Sequence, residues 1–180
     1  MSATSSAATS AIEQWVRPIA DWPEPGVTFR DITPLLAQPS ALGAVLDALR
    51  EQAAPLGRID AVVGVEARGF VLGTPLALAL GVGFVPVRKE GKLPAETHRV
   101  EYALEYGSAT VEIHSDALAP GARVLVVDDV LATGGTLLAA AELVRACGAE
   151  VSGHAVMLEI AALGGRERLG DDPLVCLHTY

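Results

Sequence analysis

One stretch narrows what this chain can become more than any other: Val124 to Thr136, VLVVDDVLATGGT. An apolar run ends in two adjacent carboxylates, Asp128 and Asp129, and a loop containing Thr133, Gly134, Gly135 and Thr136 follows. Beyond it, Leu137, Ala140, Ala141 and Val144 recur at helical spacing, so the pattern reads strand, loop, amphipathic helix. The strand is expected over Arg123 to Val127, ending near Asp128, and the helix from Gly135 to Cys147, with Gly148 as its C′ residue. In an open α/β sheet, ligands sit at the carboxyl ends of parallel strands. A helix N-terminus behind a Gly-rich turn offers free backbone N–H groups to an anion there.

Thr133 and Thr136 add hydroxyl donors to that cradle. Asp128 and Asp129 cannot share its task, because like charges repel; they can accept hydrogen bonds from sugar hydroxyls or face a hard cation such as Mg²⁺. A phosphorylated sugar satisfies both halves of the motif. For the acidic pair alone, a βα turn that caps a helix is the alternative reading.

The flanking sequence supplies the rest of a βαβ framework. IDAVVGVE (Ile59 to Glu66) reads as a buried strand, followed by an apolar helix to about Leu80, a turn at Gly81 to Gly83 and a strand, FVPV, ending at Val87. Gly69 to Val87 is long enough to span a bilayer and carries no charge, but its four Gly and two Pro favour the helix–turn–strand reading over membrane insertion. A further strand is expected from Val151 to Leu158. Upstream, residues 1–11 read as a frayed tail, Ile12 to Ala20 as an amphipathic helix, Asp21 to Pro34 as a Pro/Gly-punctuated segment, and Ser40 to Ala53 as a helix. RKEGKLPAETHRV reads as polar and flexible; it runs into EYALEYGSATVEIH, where Gly107-Ser108 between two strand-like runs suggests a hairpin. The 180 residues fit one domain without internal repeats.

Charge and cysteine usage restrict partners. With a formal net charge of −9, a broad nucleic-acid footprint is excluded, and an anionic substrate must be met by local positive charge. Both lysines of the chain, Lys89 and Lys92, sit beside Arg88 in RKEGKLP, which is either a solvated loop or such a cluster. Cys147 and Cys176 are far apart and read as ordinary thiols of a reducing compartment. The N-terminus has neither a signal-peptide pattern nor the arginines of a transit peptide, so a cytoplasmic location is expected. No G-x-x-x-x-G-K-[ST] and no G-x-G-x-x-G occurs, so neither a P-loop nor a dinucleotide fingerprint competes for the phosphate.

The thirteen-residue motif resembles the signature of the type I phosphoribosyltransferases, which bind 5-phosphoribosyl-1-pyrophosphate (PRPP). DWPEPGVTFRDITPLL (Asp21 to Leu36), GVEARGF, RKEGKLP and LEYG narrow the resemblance to the adenine phosphoribosyltransferases and extend it over nearly the whole chain after residue 12. The resemblance implies the type I phosphoribosyltransferase α/β fold, a mostly parallel central sheet flanked by helices, with a small N-terminal hood at about residues 12–36 and a flexible hairpin lid at about residues 88–106. It implies ribose binding by Asp128 and Asp129, and 5′-phosphate binding by Ala132, Thr133, Gly134, Gly135 and Thr136. Pyrophosphate falls to Glu66, Ala67, Arg68 and Gly69, where a non-proline cis peptide is expected between Glu66 and Ala67, together with Arg88, Lys89 and Lys92. Adenine would lie against Phe29, with Val130 approaching its other face and backbone groups of Thr28 and Arg30 reading its edge. A fixed C=O/N–H pair leaves hypoxanthine or guanine with unpaired groups, which is how backbone discriminates.

Glu105 in LEYG matches the proposed acid/base residue, with Arg88 beside it in the catalytic set and Tyr106 helping to close the lid. The implied reaction converts adenine and PRPP to AMP and pyrophosphate with Mg²⁺ as cofactor, in a homodimer. Two departures are small: Glu66 stands where some members carry Asp, and Trp22 where many have Phe. A phosphoribosyltransferase for another base and a non-catalytic PRPP- or nucleotide-sensing regulator are the alternatives. His98, His114, His154 and His178 show no ligand spacing.

Overall fold

Runs buried on both faces build the centre of the sheet. β3 (Ala61–Val65) and β7 (Arg123–Leu131) sit side by side, and their residues alternate between two apolar layers: Val63, Val124 and Val126 enter one, Val62, Leu125 and Val127 the other. Strands covered on both sides read as continuous apolar runs rather than as alternation, which is how both were legible in the sequence. The computed structural model describes residues 3–103 and 108–180. Its main sheet has seven strands in the order β5-β6-β4-β3-β7-β8-β9. β4 (Gly83–Lys89), β3, β7, β8 (Glu150–Glu159) and β9 (Leu174–Thr179) run parallel, while β5 (Thr97–Ala103) and β6 (Ser108–His114) form an antiparallel extension along β4.

Helices cover both faces. α5 (Gly135–Ala146) buries Leu137, Ala140, Leu143 and Val144 in one layer; α3 (Pro39–Ala53) and α4 (Arg68–Leu80) bury Val45, Leu49, Leu72 and Leu76 in the other. α5 ends as expected, with Cys147 at its cap and Gly148 at φ +78°, a conformation Gly adopts without a Cβ clash. The uncharged stretch from Gly69 to Val87 divides into α4, a left-handed Gly81 and β4. Among the described residues no helix is long and apolar enough to cross a membrane. Cys147 and Cys176 are free thiols.

Three expectations are corrected. The tail expected at residues 1–11 is helical from residue 3: α1 (Ala3–Trp15) packs on α3 because Ala8 and Ile12, one turn apart, are buried. The helix expected over Ile12 to Ala20 stops at Trp15. Arg17 precedes Pro18, which disfavours the helical region, and Arg17–Ala20 becomes β1, paired antiparallel with β2 (Thr28–Asp31). The segment expected to be polar and flexible contributes Arg88 and Lys89 to β4 and Thr97 to Val100 to β5, so both its ends are sheet and only residues 90–96 form the connection. A short helix, α2 (Thr33–Leu36), links the β1–β2 hairpin to α3, and α6 (Gly165–Leu169) lies before β9.

Candidate active site

β7 continues through Leu131, four residues further than Val127, because Val130 and Leu131 pair with Leu158 and Glu159 of β8. The acidic pair therefore sits within the last turns of pleat at the strand's carboxyl end, not in the loop. Asp129 is only 2% exposed. Burial lifts the Asp128 carboxyl well above the usual carboxylate range and its charged neighbour Asp129 lifts it further. Burial also raises Asp129, opposed by the positive charge of Arg68. Arg68 Nε lies 2.9 Å from Asp129 Oδ2, an ion pair without an aligned hydrogen bond.

Ala132 and Thr133 carry the chain from β7 to α5, with Gly134 at φ +82° capping the helix and Gly135 as its first residue. α6 buttresses this loop from behind. A Cβ on Gly165 would lie 2.2 Å from the Ala132 carbonyl oxygen, and Arg168 Nη1 donates to the Thr133 carbonyl at 2.8 Å. The free N–H groups of the first helical turn are thus held facing the carboxyl end of the sheet.

A cavity of about 530 Å³ opens at that end. It is lined by Thr28, Phe29, Arg30, Arg68, Asp128, Asp129, Val130, Ala132 and Thr136, all expected site residues. Thr133 and Gly134 line a small cleft of about 50 Å³ that shares Val130, Ala132 and Thr136 with it. Phe29 is presented by β2. Trp22 meets it edge-on at 4.5 Å between ring centroids, and Arg68 reaches its face at 5.4 Å. Asp31 anchors the hairpin: it accepts hydrogen bonds from the Thr33 hydroxyl and N–H and from Arg17, which together hold its carboxyl at about 2.

The opposite wall was missed in the sequence. Ile160, Ala162 and Leu163 line the cavity from the turn after β8, as do Gly26 and Val27 before β2. Ile160 to Leu163 could have been found, because β8 neighbours β7 and its carboxyl end falls at the same edge of the sheet. Tyr102 is a second omission: its hydroxyl is 3.4 Å from Thr136 Oγ1, linking β5 to the start of α5.

Glu66, Ala67, Gly69, Arg88, Lys89 and Lys92 form an adjoining cluster rather than lining the cavity itself. The Glu66–Ala67 peptide is cis, as expected. Gly69 packs close behind the acidic pair: a Cβ there would lie 2.7 Å from the Val127 carbonyl oxygen. The Glu66 carboxylate accepts from Lys92 Nζ and, at 3.0 Å, from the Lys89 N–H, and lies 3.5 Å from Arg88 Nε. These partners, the Lys92 hydrogen bond foremost, lower its pKa to about 2. Glu105 and Tyr106 lie outside the described residues. A second concavity, about 560 Å³ near Asp47 and Arg50, contains none of the expected site residues.

Among the described residues no three His, Cys, Asp or Glu side chains cluster as a metal site. Asp128 and Asp129 are the carboxylates of the cavity that would offer a divalent cation hard, anionic oxygens, and Asp129 Oδ2, which accepts no hydrogen bond, is ion-paired with Arg68.

Known proteins place this geometry in a family. Residues 36–177 match the model of the phosphoribosyl transferase domain. The chain is 56% identical over 173 residues to an adenine phosphoribosyltransferase of Thermobifida fusca, covering 95% of this chain and 97% of that protein. It is 60% identical over 154 residues to one from Streptomyces coelicolor, covering 86% and 84%. Among solved structures, adenine phosphoribosyltransferase from Thermoanaerobacter pseudethanolicus superimposes with a TM-score of 0.91 at 45% identity, covering 95% of this chain and 99% of that one. The Saccharomyces cerevisiae enzyme, complexed with an imino-altritol bisphosphate and adenine, gives 0.90 at 40% identity, covering 96% and 98%. On this likeness in sequence and fold, this chain belongs to the phosphoribosyltransferase family, among the adenine phosphoribosyltransferases.

Proposed function

We propose that the protein transfers the 5-phosphoribosyl group of PRPP to N9 of adenine, giving AMP and pyrophosphate. The observation that carries this reading is the single cavity in which Phe29, the Asp128–Asp129 pair and Thr136 converge. Adenine stacks on Phe29 opposite Val130, and backbone groups of Thr28 and Arg30 read its edge; the apolar Leu163 wall excludes water from that end. Asp128 and Asp129 accept from the ribose hydroxyls, and Ala132 to Thr136 donate to the 5′-phosphate. Arg68, Arg88, Lys89 and Lys92 receive the pyrophosphate, which displaces Glu66 and Asp129 as their partners. Holding both reactants in line and stabilising the departing charge accounts for most of the rate, with an oxocarbenium-like C1′ inverting between N9 and the leaving oxygen.

Glu105 manages the purine proton. Asp128 and Asp129 would hold Mg²⁺, which would supply charge neutralisation of the leaving group. The outer face of α4 exposes Val71 and Leu78 with no charged residue after Arg68, which supports a homodimer. A cytoplasmic location is consistent with two free thiols.

Pyrophosphate release from PRPP and Mg²⁺ is measured with adenine, hypoxanthine, guanine and orotate offered separately, beside an Asp128→Asn, Asp129→Asn double variant. Turnover with adenine alone, lost in the variant, is the expected result. Turnover with another base would overturn the adenine-reading segment, and PRPP binding without turnover would make the protein a sensor.

A further inference from the structure

Glu112 has no part in the roles above, yet at 1% exposure it is the least exposed carboxylate among the described residues. It sits on β6 opposite Arg88 of β4 and Arg99 of β5. One oxygen, Oε2, accepts the Gly91 N–H at 3.0 Å; the other, Oε1, lies 2.8 Å from Arg99 Nε. Gly91 is the left-handed residue, φ +77°, of the turn between Lys89 and Lys92. From the other side, Glu66 accepts the Lys89 N–H. Two carboxylates, one on β6 and one in the turn after β3, therefore hold the backbone around one short turn by its amides.

Glu112 repels a phosphate and cannot be its ligand. Its charge is matched by Arg99, which is not among the expected site residues, rather than by Arg68, Arg88, Lys89 or Lys92. What it fixes is the position of the turn. Lysine stems are flexible, and a cation whose backbone is already placed loses less freedom when it meets a ligand. We propose that Glu112 is a positioning residue for pyrophosphate binding: through the Gly91 N–H it sets the height of the turn that carries Lys89 and Lys92. This rests on the reading of those cations as pyrophosphate contacts.

The test separates reach from charge. Glu112→Asp keeps the charge near Arg99 but is one methylene too short to hold Gly91; Glu112→Gln keeps an acceptor for Gly91 and loses the charge. Arg99→Met removes the ion pair with Glu112 together with the Arg99 contacts to Glu90 and Thr97, and leaves the Glu112–Gly91 hydrogen bond in place. KM is measured for PRPP and adenine forward, and for pyrophosphate and AMP in reverse, with thermal unfolding as a check on folding. Glu112→Asp is expected to raise KM for PRPP and pyrophosphate about tenfold, with adenine and AMP within twofold; Glu112→Gln and Arg99→Met stay within threefold throughout. Equal losses in all three variants, a parallel rise for adenine, or an unchanged pyrophosphate KM in Glu112→Asp would overturn the role. If the wild-type protein shows no turnover with adenine, it is the functional reading that fails.

Discussion

Arg68 Nε stands 2.9 Å from Asp129 Oδ2, joining the N-terminus of α4 to the carboxyl end of β7. Asp129 is almost wholly buried and Arg68 is the positive charge that lowers its pKa against burial. Arg68→Met leaves that carboxylate without its counterion. Because the Arg68 side chain is 44% exposed, the expected loss of stability is roughly 1–2 kcal/mol, less than for a fully buried pair. Removing Arg68 raises the folded-state pKa of Asp129 further, so the loss grows as pH rises through that pKa and shrinks where Asp129 is protonated. Urea denaturation at several pH values checks both sign and size; a pH-independent loss would mean the pair contributes only packing.

Gly165 lies against the Ala132–Thr136 loop, the proposed 5′-phosphate site, so closely that Gly165→Ala drives a methyl into the Ala132 carbonyl and the Leu131 side chain. Overpacking of this kind costs about 1–3 kcal/mol, and the loop must shift to relieve it, so KM for PRPP rises with it. Gly43, inside α3 with nothing near its Cβ direction, is the control: Gly43→Ala is expected to stabilise by about 0.5–1 kcal/mol. Thermal unfolding of the two variants should move in opposite directions.

Asp31 sets an acid limb on stability. Its folded pKa is about 2, against 3.8 for the free side chain, so the unfolded chain binds more protons between those values. The contribution is complete above about pH 4 and is lost as pH falls toward 2, amounting to at most about 2 kcal/mol. Wild type should lose that much more stability than Asp31→Asn between pH 4.5 and 2.5. Parallel unfolding curves over that range would show that the Thr33 and Arg17 bonds do not act this way.

Trp22 packs edge-on against Phe29, so it would report on a base bound at the proposed adenine site. In a Trp15→Phe background, AMP or adenine should change Trp22 emission. Phe29→Leu removes the stacking face, and stacking of a base on an aromatic ring is worth about 1–3 kcal/mol. KM for adenine should rise roughly tenfold, with KM for PRPP within twofold; equal effects on both would place the base elsewhere.

The chain's own sequence determined the central machinery, since the apolar runs at Ile59 to Glu66 and Arg123 to Val127, the Asp128–Asp129 pair and the Thr/Gly loop are contiguous, and local spacing suffices to read them. It also carried the cis Glu66–Ala67 corner through family likeness. Tertiary structure decided what depends on neighbours. Residues 3–11 are helical because α3 offers Ala8 and Ile12 a surface to cover, and propensity alone did not reveal it. β7 runs on to Leu131 because β8 supplies partners for it, and residues 88–89 and 97–100 are sheet because β6 lies alongside. The Ile160–Leu163 wall, the Gly165 buttress and the Glu112 clamp join residues distant in sequence, so no local pattern marks them; close packing and the need to pair every buried charge put them there.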